Sequence, residues 1–174
     1  MIRMETEADR SAIRELTRTV FAASSYGHHG EAELVDHVRA GCPATLSLVA
    51  ELDGEVVGHA LFSPVRLLTA TTPLEGMGLG PMAVAIERQG QGIGTSLVTF
   101  GLDHLKNLDC PFVVVLGDPK FYGRCAFRPA SELGIGCQFP GIPEEAFQIV
   151  VLNQPVGGLP AGTIEYRPEF SKLE

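Results

Sequence analysis

One run constrains this chain more than any other: Met82-Ala83-Val84-Ala85-Ile86-Glu87-Arg88-Gln89-Gly90-Gln91-Gly92-Ile93-Gly94. An apolar strand ends in it, glycines follow at every second position, and an amphipathic helix begins at once. A turn of that kind aims several backbone N–H groups and the positive end of the helix dipole at one point. That makes an anion site, most readily a phosphate site. Spacing removes two of its common uses. A dinucleotide fingerprint needs a third glycine three residues after the second, and Thr95 or Leu97 stands there. A P-loop ends in Gly-Lys-Ser/Thr, and no lysine precedes Lys106.

The rest of the chain reads as alternating strands and helices. Ile2–Met4 is a short strand, and Thr6 with Asp9 resembles a capping box. The helix that follows sets Ile13, Leu16, Thr17, Val20 and Phe21 on one face, and a second, 31–40, turns Leu34, Val35 and Val38 inward. Leu46–Leu52 and 55–65 are strands joined by an Asp53-Gly54 hairpin turn. Residues 67–73 are a loop or ragged strand, and 78–86 leads into the glycine run. The helix over 92–108 carries Ile93, Leu97, Val98, Phe100, Leu102, Leu105 and Leu108 on a broad apolar side, so it lies against a sheet. Phe112–Leu116 is a continuous apolar run, as in a strand buried on both faces. A short helix spans 120–125. Beyond Phe127 the chain is rich in Gly and Pro, with strands at 147–152 and 163–166. The order fits one α/β domain over 1–174 with a mixed central sheet.

Composition narrows the function. At 174 residues the chain is long enough for one substantial core. A net charge of −8 argues against broad nucleic-acid binding and is compatible with a cationic substrate such as an amine. No apolar run approaches a membrane span and no signal-peptide core opens the chain, so a cytoplasmic protein with no membrane partner is expected. Cys42, Cys110, Cys125 and Cys137 lack paired metal spacing and are expected as free thiols, with no metal site.

Gln89-Gly90-Gln91-Gly92-Ile93-Gly94 satisfies Gln-x-x-Gly-x-Gly and resembles the acetyl-CoA signature of the GNAT superfamily of N-acetyltransferases, written Arg/Gln-x-x-Gly-x-Gly/Ala. The resemblance implies that amides of Gln89, Gly90, Gln91, Gly92, Ile93 and Gly94 hold the pyrophosphate of coenzyme A. It also implies that the backbone of Met82, Ala83 and Val84 pairs with the pantetheine arm as an added strand would. A backbone N–H around Val84 then becomes the oxyanion donor. Downstream, Leu116-Gly117-Asp118-Pro119-Lys120-Phe121-Tyr122-Gly123-Arg124-Cys125-Ala126-Phe127 is similar to the second cofactor motif of that family. There a tyrosine opens a short helix with its hydroxyl toward the CoA sulfur, and a phenylalanine follows five residues later. Carried over, the general acid is Tyr122, the phenylalanine is Phe127, and Phe121 and Tyr122 border the cofactor. Many members end this motif in Gly-Phe, where this chain has Ala126-Phe127. Without the first motif, Tyr122 reads first as a core aromatic whose hydroxyl finds a carbonyl, and the two motifs in order turn the reading to the acid.

The wording of this segment, with Gly58-His59-Ala60-Leu61-Phe62-Ser63-Pro64, resembles the YhbS-like subgroup of predicted acetyltransferases over nearly the whole chain. The implied architecture is a single-domain GNAT fold, a mixed central β-sheet flanked by helices, with CoA bound where two central strands splay.

Direct acetyl transfer needs a neutral amine, and no residue stands out as its base. His59 and Ser63, four apart on a strand, share one sheet face. His59 is the candidate base, set against a histidine satisfied within a packed layer. The pair His28-His29 with Glu31 and Glu33 lies where the family builds its acceptor-side loop, and a solvated loop is the alternative reading. Asp118 before Pro119 reads as a helix cap. The expected function is transfer of an acetyl group from acetyl-CoA to a primary amine, of a small molecule or a protein, by direct attack. A catalytically weak or inactive acyl-CoA-binding regulatory module is the alternative. The acceptor stays open, and so does the oligomeric state, with a homodimer as one arrangement.

Overall fold

The computed structural model describes residues 1–25, 27 and 29–173. In chain order the elements are β1 (Ile2–Met4), α1 (Arg10–Ala22), α2 (Glu31–Gly41), β2 (Leu46–Leu52), β3 (Glu55–Leu68), β4 (Leu74–Val84), α3 (Ile93–Asn107), β5 (Phe112–Leu116), α4 (Pro119–Tyr122), β6 (Arg128–Pro129), β7 (Ile135–Cys137), β8 (Phe147–Val151) and β9 (Gly162–Glu165). They form two compact units. One comprises Met1–Ser63, Gly80–Gly101 and Pro168–Glu174, the other Pro64–Leu79 and Leu102–Arg167. β3, β4 and α3 each begin in one and end in the other.

In the first unit β1, β2 and β3 pair antiparallel, with Ile2 opposite Ala50 and Val49 opposite His59. Asp53 and Gly54 close the β2–β3 hairpin with φ of 51° and 80°, the pair of left-handed residues that a tight two-residue hairpin turn requires. Strand alternation then sorts β3. Leu61 enters an apolar cluster with Ile13 of α1, Leu34, Val35 and Val38 of α2, and Val49 of β2. Gly58 instead meets Ile93 and Leu97 of α3, and Phe62 lies against Gly101 of that helix. A Cβ on Gly101 would come within 2.4 Å of the Phe62 ring, so glycine is what lets helix and strand approach so closely.

The capping box read from Thr6 and Asp9 is present at a 3-10 turn, Glu7–Asp9, that runs into α1. Asp9 accepts from Thr6 N–H at 2.7 Å and from both terminal nitrogens of Arg3, at 2.7 and 2.9 Å. The Arg3 hydrogen bonds hold the Asp9 carboxyl well below the usual carboxylate range against the opposing effect of burial. Its contribution to stability is therefore complete above the ordinary value of 3.8 and disappears as pH falls below it. An Asp9→Asn variant is expected to lose about 2 kcal/mol at pH 7, the scale of charge-assisted hydrogen bonds. Urea unfolding checks this: the gap from wild type should narrow on acidification below pH 4.

In the second unit β5 runs parallel to β4, Met77–Leu79 beside Val113–Val115, and antiparallel to β8. Phe112 to Val115 are at most 1% exposed, as expected of a strand covered on both faces. β6 adds to β8, while β9 pairs with β7 and with the end of β3. The Asn153 side-chain amide donates to the carbonyls of Lys106 and Cys110, closing the end of α3.

The structure corrects three expectations. The strand expected over 78–86 runs instead over Leu74–Val84, because Ile86 already belongs to the 3-10 turn Ile86–Arg88. β3 continues to Leu68 because Arg66, Leu67 and Leu68 find partners in β9, nearly a hundred residues on. On α3, Leu97, Val98 and Leu105 are buried, whereas Phe100 and Leu108 are 40% and 65% exposed. Phe100 lies on the flank of the buried arc, and Leu108 falls beyond the last helical residue.

Candidate active site

The glycine run lies within the first unit. β4 ends at Val84, and Ala85 donates its N–H to the Val57 carbonyl of β3 at 2.8 Å. A 3-10 turn, Ile86–Arg88, follows. The two glutamines tie this turn from inside: Gln89 Nε2 donates to the Val84 carbonyl at 3.1 Å, and Gln91 Nε2 to that of Glu87 at 3.4 Å. Gly90 and Gly92 take left-handed φ of 75° and 84°, and neither would set a Cβ within 4 Å of another group. The first bond of α3 runs from Ser96 N–H to the Gly92 carbonyl. The amides of Gly92, Ile93, Gly94 and Thr95 thus precede any intrahelical bond, and they gather at the positive end of a fifteen-residue helix. This cradle of N–H groups behind glycines with open outer sides fits a pyrophosphate.

Upstream, β4 keeps register with β5 only as far as Leu79. Pro81 next supplies no N–H for a ladder, and Met82, Ala83 and Val84 complete the strand. These three and the Gln89–Gly94 loop are brought together on one continuous strand–turn–helix.

Tyr122 lies in the second unit. Asp118 caps α4, its carboxylate accepting from Lys120 N–H at 2.9 Å, with Pro119 in the first turn. The Tyr122 ring is 8% exposed and packs edge-on to Phe121 and Phe127, with centroids 4.8 and 5.6 Å away. Its other side meets Gly117, where a Cβ would stand 2.4 Å from Tyr122 Cε2. Buried Gln148 of β8 holds the Gly117 carbonyl at 3.3 Å. Burial pushes the Tyr122 hydroxyl well above the ordinary phenol range, so it keeps its proton throughout neutral pH.

His59 lies in the first unit and is 1% exposed. Its Nε2 is 2.8 Å from Ser47 Oγ and 3.7 Å from Glu5 Oε2. Ser47 hydrogen-bonds the same Glu5 oxygen, and Arg39 pairs with Glu5 through Nε and Nη2. Burial pushes the Glu5 carboxyl up, but the nearby His59 ring and the hydrogen bonds from Arg39 and Ser47 outweigh it and hold it down at about 2. Burial lowers the His59 imidazole, an effect that Glu5 opposes. Ser63, on the same strand, is also buried. Of the acceptor-side candidates, His28 lies outside the described residues and His29 is exposed. Glu31 is buried and accepts from Gly30 N–H at 3.0 Å, while Glu33 pairs with Arg18 at 2.7 Å.

Sequence reasoning missed Glu5, Ser47 and Arg39 beside His59, and Gln148 behind Gly117. No local pattern marks them, because each meets its partner only through long-range strand pairing or helix docking.

The pattern of the acetyltransferase (GNAT) family matches residues 11–127. The chain is 36% identical over 174 residues to the uncharacterized N-acetyltransferase YhbS of Escherichia coli (strain K12), spanning 99% of each. The crystal structure of E. coli YhbS in complex with CoA superposes with a TM-score of 0.87 at 36% identity, covering 98% of this chain and 91% of that one. A GNAT family acetyltransferase from Brucella melitensis, in complex with acetyl-CoA, gives 0.80 at 35% identity over 98% and 97%. Together with the mixed sheet of this α/β fold, these matches show that the chain belongs to the GNAT acetyltransferase family, with acetyl-CoA as its cofactor.

Proposed function

We propose that this protein is a cytoplasmic N-acetyltransferase, with residues 1–174 as one catalytic domain, that moves the acetyl group of acetyl-CoA onto a primary amine by direct attack. The observation that carries this reading is the Gln89–Gly94 turn, whose left-handed, open-sided glycines and free helix-terminal amides suit the cofactor's pyrophosphate. The bound cofactor supplies an activated acetyl thioester. Met82, Ala83 and Val84 hold its arm through backbone groups, and an N–H near Val84 polarises the thioester oxygen. Phe121 and Tyr122 would border the cofactor, with the Tyr122 hydroxyl toward its sulfur, where it would give the departing thiolate a proton. A net charge of −8 suits a cationic acceptor.

Thiol release from acetyl-CoA, followed across a broad panel of amines, tests the reading. Amine-dependent turnover is expected. Tight CoA binding without turnover on any amine overturns it in favour of an acyl-CoA-binding regulatory module.

A further inference from the structure

We propose that a cavity beside Phe147 receives the acetyl acceptor, and that this acceptor is a primary amine carried on a short aromatic or branched apolar arm. The inference rests on the acetyl-transfer reading above and adds to it the class of amine.

The cavity lies wholly within the second unit, is formed chiefly by β7, the start of β8 and the chain joining them, and holds about 180 Å³. Ile135 and Phe147, both buried, line it together with the half-buried ring of Phe139 and with Ile142, which is 36% exposed. Phe139 is braced by the buried Tyr166 ring, with centroids 5.4 Å apart, so this wall is anchored to the core. Among the described residues the lining has one charged side chain, the exposed Glu144, and no lysine or arginine. A dry cavity of about 150 Å³ takes one benzene ring, so one ring or a branched chain of similar bulk fits here. The apolar walls suit the arm, and a lone carboxylate at the edge, in a chain of net charge −8, suits the ammonium group.

Position ties the cavity to the proposed proton donor. Leu116, the last residue of β5, stands opposite Phe147, the first of β8, and the Gly117 N–H still donates to the Ala146 carbonyl at 3.0 Å. Gly117 turns its open side to the Tyr122 ring. Alternation therefore points Leu116 and its partner Phe147 to the other face. Tyr122 and the cavity flank one strand end from opposite faces. Direct attack calls for that arrangement. In the tetrahedral intermediate the amine nitrogen and the sulfur occupy different corners of one carbon, so a proton donor to the sulfur and a seat for the acceptor belong on different sides.

Thiol release with 2-phenylethylamine and with ethylamine tests the inference. The kcat/KM for 2-phenylethylamine should exceed that for ethylamine about 30-fold, the scale of burying one ring. Ile142→Trp fills the cavity from its exposed wall and should bring that ratio to about 1, a change that lost stability alone does not produce. Glu144→Gln should raise the KM for 2-phenylethylamine about fivefold, the upper range for an exposed ion pair, through KM and not kcat. A ratio near 1 in wild type overturns the inference, as does a ratio that survives Ile142→Trp or a KM that Glu144→Gln does not move. CoA binding with no amine acetylated overturns the acetyl-transfer reading instead. Calorimetry with 2-phenylethylamine on wild type and Ile142→Trp then decides the cavity. Saturable binding that the substitution weakens keeps it as an arylalkylamine site, and no binding, or equal binding by both, overturns it.

Discussion

Tyr122→Phe is expected to lower kcat for amine acetylation about 100-fold while leaving the CoA dissociation constant within about twofold. The substitution removes one oxygen and keeps the ring, so the edge contacts with Phe121 and Phe127 and the close approach of Gly117 survive. General acids contribute roughly 10²- to 10⁴-fold. The lower end applies here, because burial raises this phenol above its ordinary range, which makes it a weak acid toward a departing thiolate. For the same reason the basic limb of the wild-type pH profile should not belong to Tyr122, and the variant should leave that limb in place. Steady-state kinetics with calorimetric CoA titration checks both points. A Phe variant with full activity would remove the proposed proton donor.

Gly92→Val is the second large effect, and it strikes binding. Gly92 sits at φ 84° with open space where a Cβ would go. A β-branched residue there strains the backbone and fills the open side from which, in the proposed site, the pyrophosphate would reach the amides. About a hundredfold weaker CoA binding is expected, roughly 3 kcal/mol by the affinity relation. Gly54→Val supplies the control. Its φ of 80° and empty surroundings are nearly the same, but it lies in the β2–β3 hairpin. The two variants should lose similar stability, and Gly92→Val alone should lose CoA. Equal CoA affinity in both would remove the loop from the cofactor site.

Much of this was legible because the deciding interactions are local. The Phe112–Leu116 run, the Asp53-Gly54 turn, the Thr6–Asp9 box and the Gln89–Gly94 turn each carry their reason within a few residues. The two-residue β6 and three-residue β7 are strands only because β8 and β9 lie beside them, so no periodicity announces them. The surroundings of His59 were hidden for the same reason. Glu5, Arg39 and Ser47 come from three separate segments, and β2–β3 pairing and helix docking must happen before they meet. Alternation on β3 identified a face for His59 but not its neighbours.

The bond from Gln89 Nε2 to the Val84 carbonyl gives a physical use for the glutamine at the first place of the signature that this loop resembles. The requirement there is a side chain that delivers an N–H back to a strand carbonyl five residues earlier. Glutamine and arginine both have the length and a donor at the tip. Glutamate matches the length but brings an acceptor to an acceptor, and asparagine is a methylene short. In this chain the side chain is a strut from the turn ahead of α3 back to the last residue of β4, whatever acyl acceptor the protein serves.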